Sequence, residues 1–475
     1  MKKKSIWDDI ETTNINNNKK INDLNTDILI IGGGIIGITL AYFLKDYNGK
    51  VTLVDKSKLF HGVTSKTTAK ITYLQESIYG TLSNYFNEYM SYLYYKSQKD
   101  AIKTIKDIVK NNNIDCDLEK SPSIIFTLNK KNIKKVKREE ELLKSWNNKV
   151  EIVDNPNIKY GIKVNDTYTF HPLKYLNGLV NIIRDKVILY EDILVNNIIE
   201  DIDNDGYIVC TNKNKITAKK VVIACHYPFF IYPSFIPIKT YVMREYVNVA
   251  KDRNPKNYSA ISIDKDLHSI RYYHDYLIYG CNSHNITNHL NIKKNMDESR
   301  KQFKKFFNLN PEYSWINQDI TSHDKLPIIG SIKDNLYIAT AYNAWGMTNG
   351  TLAAKIISDD ILGIDNRFKK LFSPSRKNYP LYIFSTLGIF NYLKSYIQAM
   401  FIKYVPKYIK INKFMYAIYK DKNKKVHIVK LICPHMKCPL IYNNESNTWD
   451  CPCHGSRFDI YGNLLEGPAK KNIKK

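Results

Sequence analysis

One local pattern near the start of the chain constrains its fold more than any other: a buried strand, a glycine-rich turn and a helix. The apolar run 27–31 ends at Gly32, residues 35–44 have helical character, and residues 51–55 form a second apolar strand. Strands that are apolar on both faces are typical of sheets covered by helices on each side. This unit of about 30 residues predicts a parallel sheet and an α/β fold.

The glycines of this unit have the spacing of a dinucleotide-binding turn. Gly32-x-Gly34-x-x-Gly37 follows the first strand, and Asp55 ends the second. The first glycine permits a tight turn, the second lets the backbone approach a pyrophosphate, and the third lets helix and strand pack closely. Phosphates then meet free N–H groups at the helix start, and the Asp55 carboxylate can accept hydrogen bonds from a ribose. A glycine-rich loop without a ligand is the alternative.

The order of elements further along the chain predicts two interleaved domains and a small last one. Strand-like runs recur between residues 187 and 341, and a helix follows at 346–363. This order fits an α/β cofactor domain interleaved with an antiparallel α+β substrate domain. The predicted divisions are an N-terminal extension (1–25), the two interleaved domains (26–365), a basic helical linker (366–411) and a last domain (412–475).

Two further segments bear on which dinucleotide binds. A stretch rich in small hydroxyl residues follows the glycine turn, and a late strand leads into a helix that starts at Gly346. Together with the turn, they resemble FAD-dependent oxidoreductases of the D-amino-acid oxidase and glycine oxidase type, over about residues 24–365. The resemblance implies FAD rather than NAD. The implied contacts are Gly32, Gly34, Gly37, Asp55, Thr67, Thr68, Gly346, Met347 and Thr348.

The substrate side offers two candidates. Arg271 lies in a predicted strand of the substrate domain and could hold a carboxylate through a bidentate pair. His284 is the second candidate, and a packing role is the alternative for both. The resemblance implies oxidation of a C–N bond, for which orientation and a neutral amine can suffice, so no catalytic acid or base is singled out.

Four of the eight cysteines lie between residues 433 and 453, close to two histidines. One loop has Cys433-Pro434-His435 and the next has Cys451-Pro452-Cys453-His454. Two thiolates on one iron and two imidazoles on the other suit a Rieske [2Fe–2S] cluster, with Cys433, His435, Cys451 and His454 as ligands. Structural zinc is the alternative, but its usual spacing groups cysteines with cysteines and histidines with histidines.

The segment from about residue 412 onwards resembles Rieske domains, which are small and all-β. The resemblance implies a disulfide between Cys438 and Cys453 and a proline loop at residues 466–469. Phe458 stands where a tyrosine would donate towards a cysteine sulfur, so we expect a potential below that of respiratory-chain Rieske centres. The whole chain resembles a family of bacterial two-domain oxidoreductases that join these two parts.

The chain is strongly basic, with 71 Lys and Arg against 46 Asp and Glu and a formal charge of +25. Such a charge raises the question of nucleic acid or anionic membranes. Because the lysines are scattered, we do not favour nucleic acid. Residues 391–432 carry ten lysines and one acidic residue, Asp421. Helical spacing there sets lysines against large apolar residues, namely Lys403, Lys407 and Lys410 against Ile397, Met400, Phe401 and Tyr404.

For this basic segment we favour a linker helix packed on the flavin domain. The alternatives are an amphipathic helix that lies on an anionic membrane and a surface that guides an acidic redox partner. The N-terminus lacks the apolar core of a signal peptide, and no apolar run reaches the roughly 18 residues of a membrane span. We therefore expect a cytoplasmic protein, with any membrane contact at the inner face of the membrane.

Taken together, these patterns predict an FAD-dependent dehydrogenase. It oxidises a C–N bond of an amine or amino acid and passes electrons singly through the Rieske cluster to an acceptor protein or a quinone. One alternative is an electron-transfer protein without a small-molecule substrate. The other is an RNA-modifying flavoenzyme, which the basic charge suggests.

Overall fold

The computed structural model describes residues 2–10, 13, 15, 24–228, 236–288, 290–376, 390, 393–401, 410–411, 415–421 and 423–474. These residues form a mixed α/β region followed by a small region of short strands, which confirms the predicted fold class. The predicted helix at 346–363 is present from Gly346 to Ile361.

The strands of the larger region alternate with helices along the chain. They are β1 Leu24–Ile31, β2 Val51–Val54, β3 Lys70–Ile71, β4 Glu119–Lys120, β5 Ser123–Thr127, β6 Glu151–Ile152, β7 Tyr160–Val164, β8 Tyr168–Thr169, β9 Ile188–Tyr190, β10 Val195–Asp201, β11 Gly206–Thr211, β12 Lys215–Ile223, β13 Thr240–Lys251, β14 Ser259–Ser262, β15 His268–Tyr273, β16 Tyr276–Asn285, β17 Tyr313–Ser322, β18 Ile328–Lys333 and β19 Leu336–Thr340. The C-terminal strands are β20 Lys410–Ile411, β21 Tyr416–Lys420, β22 Val426–Lys430, β23 Ile441–Asn443, β24 Thr448–Asp450, β25 Arg457–Asp459 and β26 Leu464–Glu466.

The helices cover the faces of the sheets. They are α1 Ile35–Phe43, α2 Ile78–Tyr85, α3 Glu88–Asn111, α4 Ile133–Ser145, α5 Pro172–Ile183, α6 Ile236–Lys239, α7 Ile292–Phe307, α8 Gly346–Ile361 and α9 Lys369–Phe372, with short 3-10 turns at Ile6–Asp9, Val63–Lys66 and Lys130–Asn132. A further helix includes residues 393–401. The predicted helical positions Lys403, Tyr404 and Lys407 lie outside the described residues. Lys410 begins β20, so its predicted place on a helix is wrong.

The first sheet is built around the strand–helix–strand unit of the N-terminus. β1 pairs in parallel with β2 on one side and with β12 on the other, and β2 pairs in parallel with β9. β12 also pairs in parallel with β19 at its end and in antiparallel with β11 at its start. The parallel core of this sheet confirms the expectation drawn from its uniformly apolar strands.

The second sheet is interleaved with the first along the chain. Its strand order is β17-β13-β16-β15-β14-β5-β7-β6. The chain therefore leaves the first sheet after β2, builds β5–β7, returns for β9–β12, and leaves again for β13–β17 before it closes the first sheet with β18 and β19. This sheet is largely antiparallel, as predicted for the substrate domain.

Strands β13 and β17 pair without a register shift, and both of their faces carry polar side chains. Met243 lies opposite Asp319, and Arg244 lies opposite Gln318. Because successive side chains of a strand point to opposite faces, two sets of residues result. One face carries Tyr241, Met243, Glu245, Asn317, Asp319 and Thr321, and the other carries Val242, Arg244, Tyr246, Ile316, Gln318 and Ile320.

The C-terminal region docks on the second of these faces. Arg244 Nη2 lies 2.9 Å from Asp450 Oδ2 and donates to Gln318 Oε1 at 2.5 Å. Gln318 Nε2 in turn donates to Gly455 O and to Glu466 Oε2, each at 3.0 Å. Arg244 and Asp450 are buried. The docking thus depends on a buried, hydrogen-bonded charge pair supported by an amide.

Replacing Arg244 by methionine tests this docking. We expect Arg244→Met to lower the free energy of unfolding by about 3 kcal/mol, because it leaves the buried Asp450 carboxylate without one of its cationic partners. Urea unfolding followed by tryptophan fluorescence measures the change. The control is Arg138→Met, which removes an exposed pair with Glu88 and should cost less than about 1 kcal/mol. Equal losses in the two variants would contradict the docking role.

Candidate functional site

The turn between β1 and α1 has no room for side chains at two of its glycines. Gly32 has a φ of +119°, and a Cβ there would lie 2.8 Å from Ala224 O. A Cβ at Gly37 would lie 1.8 Å from Gly32 O. The two positions therefore need glycine for the reasons predicted, a left-handed turn and close contact of helix and strand.

Asp55 lies at the end of β2 and faces this turn. Its Oδ2 accepts from the Gly33 N–H at 2.7 Å, and its Oδ1 accepts from the Ser57 N–H at 2.8 Å. These bonds fix the carboxylate beside the start of α1, where a ribose and a pyrophosphate would lie next to each other.

A cavity, the first cavity, opens along the start of α1. Six of the predicted cofactor residues line it, namely Gly32, Gly34, Asp55, Thr67, Gly346 and Met347. Of the other three, Gly37 packs under the turn, and Thr348 is buried and accepts from Gln75 Nε2 at 3.2 Å. Thr68 lines a different cavity. The glycine turn, the acidic strand end and the late helix start thus meet at one elongated cleft that fits a dinucleotide.

The second cavity lies against the face of β13 and β17 that carries Glu245 and Asp319. The two cavities share part of their walls, at Asn317, Asp319 and Ala344. Burial raises the pKa of Asp319 to about 7. A carboxyl group with that pKa, positioned between two cavities, can exchange a proton near neutral pH.

A histidine stands beside Asp319 in the first cavity. His226 Nδ1 lies 4.0 Å from Asp319 Oδ1, and burial lowers the pKa of His226 to about 4. His226 Nε2 is buried and has no hydrogen-bond partner among the described residues. The imidazole is therefore neutral beside the Asp319 carboxyl group.

Arg271, the first predicted substrate residue, is buried away from both cavities. Its Nη1 donates to Thr68 O at 2.5 Å and its Nη2 donates to Phe170 O at 2.8 Å. Its guanidinium lies over the Trp7 ring, 5.1 Å from the centroid, and the Trp7 indole donates to Thr67 O at 2.7 Å. In the structure Arg271 and Trp7 support the backbone of the hydroxyl-rich segment.

His284, the other predicted substrate residue, lies on the face of the second sheet that points away from the second cavity. It stands opposite Arg244 in the ladder of β13 and β16. Its Nδ1 lies 3.0 Å from Asn282 O, and its ring stacks near that of Tyr246 with 5.6 Å between centroids. Its neighbours belong to the surface on which the C-terminal region docks.

The four predicted cluster ligands converge in the C-terminal region. The His435 and His454 rings lie edge to face, with centroids 4.9 Å apart. Burial lowers the pKa of His435 to about 4 and that of His454 to about 3, so both imidazoles are neutral, as metal ligands must be. His435 Nδ1 is buried without a hydrogen-bond partner in the described part of the chain.

The two cysteine sulfurs of this set are neighbours and receive several donors. Hydrogen bonds lower the pKa of Cys433, and the largest effect comes from the Cys451 thiol. Smaller effects come from the N–H groups of His435 and Met436 and from the Ser456 hydroxyl. The shared proton raises the pKa of Cys451. Donors aimed at sulfur are what an iron–sulfur site needs to hold thiolate charge. The residues therefore fit a cluster.

Each of the two ligand loops contains the same kind of turn. The Lys437 N–H donates to Cys433 O and the Gly455 N–H donates to Cys451 O, each at 3.0 Å. Lys437 has a φ of +60° where Gly455 has +79°. Lys437 thus adopts the left-handed conformation that favours glycine.

Cys438 and Cys453 form a disulfide that ties the two loops together, as the resemblance implied. Their sulfurs and that of Cys451 all lie within 4.8 Å of one another. Because the disulfide occupies two of these three sulfurs, Cys451 alone among them is available to a metal. The Ala469 N–H donates to Ser456 Oγ at 3.0 Å and so links the predicted proline loop to the second ligand loop.

The proline loop also reaches the first cavity. Leu464, Leu465, Glu466, Gly467 and Ala469 contribute to the wall of that cavity. The Glu466 carboxylate lies 2.9 Å from Lys66 Nζ and 2.9 Å from Arg457 Nη1. The proline loop therefore connects the cofactor cleft to the cluster loops.

Sequence reasoning missed Glu245, Asp319 and His226 as site residues. A signal existed in the polar doublets Arg244-Glu245 and Gln318-Asp319, since a strand buried on both faces rarely carries polar side chains on each. Assigning the faces required the register of β13 against β17, which the sequence does not supply.

Comparison with protein families finds a match in each of two parts of the chain. The sequence model for DAO, FAD dependent oxidoreductase, matches residues 27–360. The chain belongs to this family. The model for the Rieske [2Fe-2S] domain matches residues 398–475. The DAO part accordingly binds FAD and the Rieske part binds a [2Fe–2S] cluster, as predicted.

Individual relatives are similar to the chain over different shares of its length. The chain is 28% identical over 483 residues to YhfW of Bacillus subtilis (strain 168), which carries the name of a Rieske 2Fe-2S iron-sulfur protein, covering 95% of this chain and 93% of that one. It is 21% identical to gamma-glutamylputrescine oxidoreductase of Escherichia coli (strain K12), covering 73% and 85%. Glycine oxidase from Geobacillus kaustophilus shares the fold, with a TM-score of 0.62 and 15% identity over 74% of this chain and 99% of that one.

Two glycines provide a matched test of the FAD site. We expect Gly37→Ala to lose most bound FAD, because its Cβ would overlap Gly32 O. The control is Gly62→Ala, since Gly62 also lines the first cavity but a Cβ there meets nothing within 4 Å. Flavin absorbance per protein after gel filtration gives the occupancy. Full retention in Gly37→Ala would contradict the assignment.

Phe458 provides a test of the expected low cluster potential. It is fully buried in the core of the Rieske region and lies opposite Trp449. We expect Phe458→Tyr to raise the potential, because the added hydroxyl supplies a hydrogen bond towards a ligand sulfur, and Ser456→Ala to lower it by removing one. Protein-film voltammetry measures both, and a Phe458→Tyr potential equal to or below that of the unmodified protein would count against the idea.

Proposed function

We propose that this protein oxidises a C–N bond of an amine or amino acid and that the electrons leave one at a time through the Rieske cluster to an acceptor. One observation carries the proposal. The first cavity shares Asn317, Asp319 and Ala344 with the second cavity, and the proline loop, which is hydrogen-bonded to the second ligand loop, contributes to its wall. The proposed substrate space therefore adjoins the flavin space, and one loop connects the flavin space to the cluster loops.

Amine oxidation needs one acceptor for a hydride and another for a proton. Oxidation of an amine turns its C–N single bond into a C=N bond, and the substrate loses a hydride from carbon and a proton from nitrogen. FAD supplies the hydride acceptor, and the cluster accepts electrons singly. The proton acceptor that geometry favours is Asp319, which lines both cavities and has a pKa raised to about 7. Neutral His226 stands next to it on the side of the cluster.

The acceptor beyond the cluster is a one-electron acceptor protein or a quinone in this proposal. An oxidase that passes electrons directly to oxygen has no use for a cluster, so the docked Rieske region supports a dehydrogenase. The open second cavity speaks against an electron-transfer protein without a small substrate. Its lining by Glu76, Glu245 and Asp319 speaks against RNA, since phosphates avoid carboxylates.

A variant without the cluster tests the electron route. We expect His435→Ala to keep FAD and to be bleached by an amine under anaerobic conditions, but to reduce a one-electron acceptor such as cytochrome c about 100-fold more slowly, because the route through the cluster is interrupted. His427→Ala is the control, since His427 pairs with Asp421 in the same region. The measurement is stopped-flow absorbance. Equal acceptor reduction by His435→Ala would contradict the route, and no bleaching by any amine would contradict the oxidation.

The helix at 393–401 supports a second proposal, a peripheral membrane contact. Leu393, Ile397, Met400 and Phe401 are 51%, 55%, 53% and 80% exposed, whereas Ala399 on the opposite side is buried. Large apolar side chains at this spacing, in a lysine-rich stretch, are typical of helices that lie in the surface of anionic bilayers. Among the described residues, every helix is too short or too polar to cross a membrane.

Vesicle binding tests this contact. We expect the protein to co-sediment with vesicles rich in anionic lipid and Phe401→Ser to weaken the binding about tenfold, because it removes the most exposed apolar side chain of the helix. Ile202→Ser, which alters another exposed apolar residue (85% exposed), is the control. Absence of binding, or equal binding by both variants, would remove the proposal.

A further inference from the structure

The second cavity is lined by acidic side chains to which the protein donates few hydrogen bonds. Glu76, Glu245 and Asp319 line it. The Ile320 N–H donates to Asp319 Oδ1 at 2.8 Å, whereas no hydrogen-bond donor among the described residues contacts the carboxyl group of Glu76 or Glu245. Both glutamates are half-buried, so their carboxyl groups are open to the cavity, and a ligand that supplies donors would stabilise them.

The position of Glu245 depends on a glycine in the neighbouring strand. A Cβ at Gly280 would lie 2.2 Å from Glu245 Oε1. Gly280 in β16 therefore leaves the space that the carboxyl group fills, directly beside the floor of the cavity. Burial raises the pKa of Glu245, and the neighbouring Lys70 opposes this effect.

The two lysines of the cavity, unlike its two glutamates, already have protein partners. Lys70 Nζ donates to Ala260 O at 2.9 Å and to Ser269 Oγ at 2.7 Å. Lys325 Nζ donates to Tyr241 Oη at 2.8 Å and lies 5.4 Å from the centroid of the same ring. The cavity therefore offers acceptors for positive charge rather than free donors for negative charge.

The cavity also lacks the group best suited to an α-carboxylate. No arginine is among its described lining residues, and Arg271 directs its guanidinium to backbone carbonyls elsewhere. A planar bidentate partner for a carboxylate is thus missing, although such partners are the strong ones. These contacts favour an amine with a second positive charge over an α-amino acid.

We propose that the second cavity binds a diamine, with one nitrogen beside Asp319 at the wall of the first cavity and the second ammonium group held by Glu245 and Glu76. The inference rests on the proposed function, since it names the substrate class of the same site. The nitrogen of the oxidised C–N bond loses its proton to Asp319, and the adjacent carbon loses a hydride to FAD. The second ammonium group stays charged and holds the alkyl chain of the diamine in position.

Three ligands with four carbon atoms each separate the contributions of charge. Putrescine ends in a second ammonium group, butylamine in a methyl group and γ-aminobutyrate in a carboxylate. Each is titrated anaerobically into the oxidised holoenzyme, and the change in flavin absorbance gives its apparent Kd. We expect putrescine to bind about tenfold or more tightly than the other two, the factor expected for one charge-assisted hydrogen bond.

Two variants test whether the two glutamates bind the second ammonium group. Glu245→Gln and Glu76→Gln should each weaken putrescine binding about tenfold and leave butylamine binding unchanged, because they remove charge without removing volume. Glu298→Gln, on the exposed side of α7, is the control and should alter neither ligand. FAD content confirms that each variant has folded.

The outcomes distinguish this inference from the function on which it rests. Preferred binding of γ-aminobutyrate, or an unchanged preference in both cavity variants, would overturn the diamine assignment while amine oxidation stands. A flavin spectrum that no amine perturbs or bleaches would overturn both. Tighter binding of putrescine that both variants abolish would support the assignment.

Discussion

The ion pairs between the two parts of the chain, those of Glu466 together with the Arg244–Asp450 pair, are the interactions on which the rest of the structure depends. The Glu466 carboxylate accepts from Lys66 of the DAO part, from Gln318 of β17 and from Arg457 of the Rieske part. Lys66 and Arg457 hold its pKa well below the usual range despite burial. Because the same residue lines the first cavity, one ionised side chain fixes the position of the cluster loops relative to the flavin space. A neutral residue there would leave Arg457 buried beside Asp450 alone.

Strand β17 lies between the two cavities on one face and the Rieske region on the other. Its alternation places Asn317 and Asp319 towards the cavities and Gln318 towards the Rieske region. The second cavity and the docking surface therefore lie one residue apart along the chain. Under the proposed function the sheet would keep the substrate away from the cluster, which suits a protein that divides two-electron and one-electron chemistry between its two parts.

Local patterns predicted the parts of the fold and site that depend on near neighbours in sequence. The turn at Gly32 and Gly37 and the ligand loops around Cys433 and Cys451 were foreseen because spacing alone dictates their geometry. Arg271 illustrates the limit. A buried arginine on a substrate-domain strand has the chemistry of a carboxylate clamp, but its partners, the carbonyls of residues 68, 69 and 170, come from distant segments. The role of such a side chain depends on tertiary contacts that no local pattern contains.

The wall of the first cavity has a consequence for how firmly FAD is held. Leu464, Leu465, Glu466, Gly467 and Ala469 come from the Rieske part, whereas the other described lining residues lie between residues 31 and 347. One side of the flavin cleft is therefore covered by a separate redox module. Any displacement of the Rieske part would uncover that side of the cleft, so retention of the flavin depends on the docking of the second module.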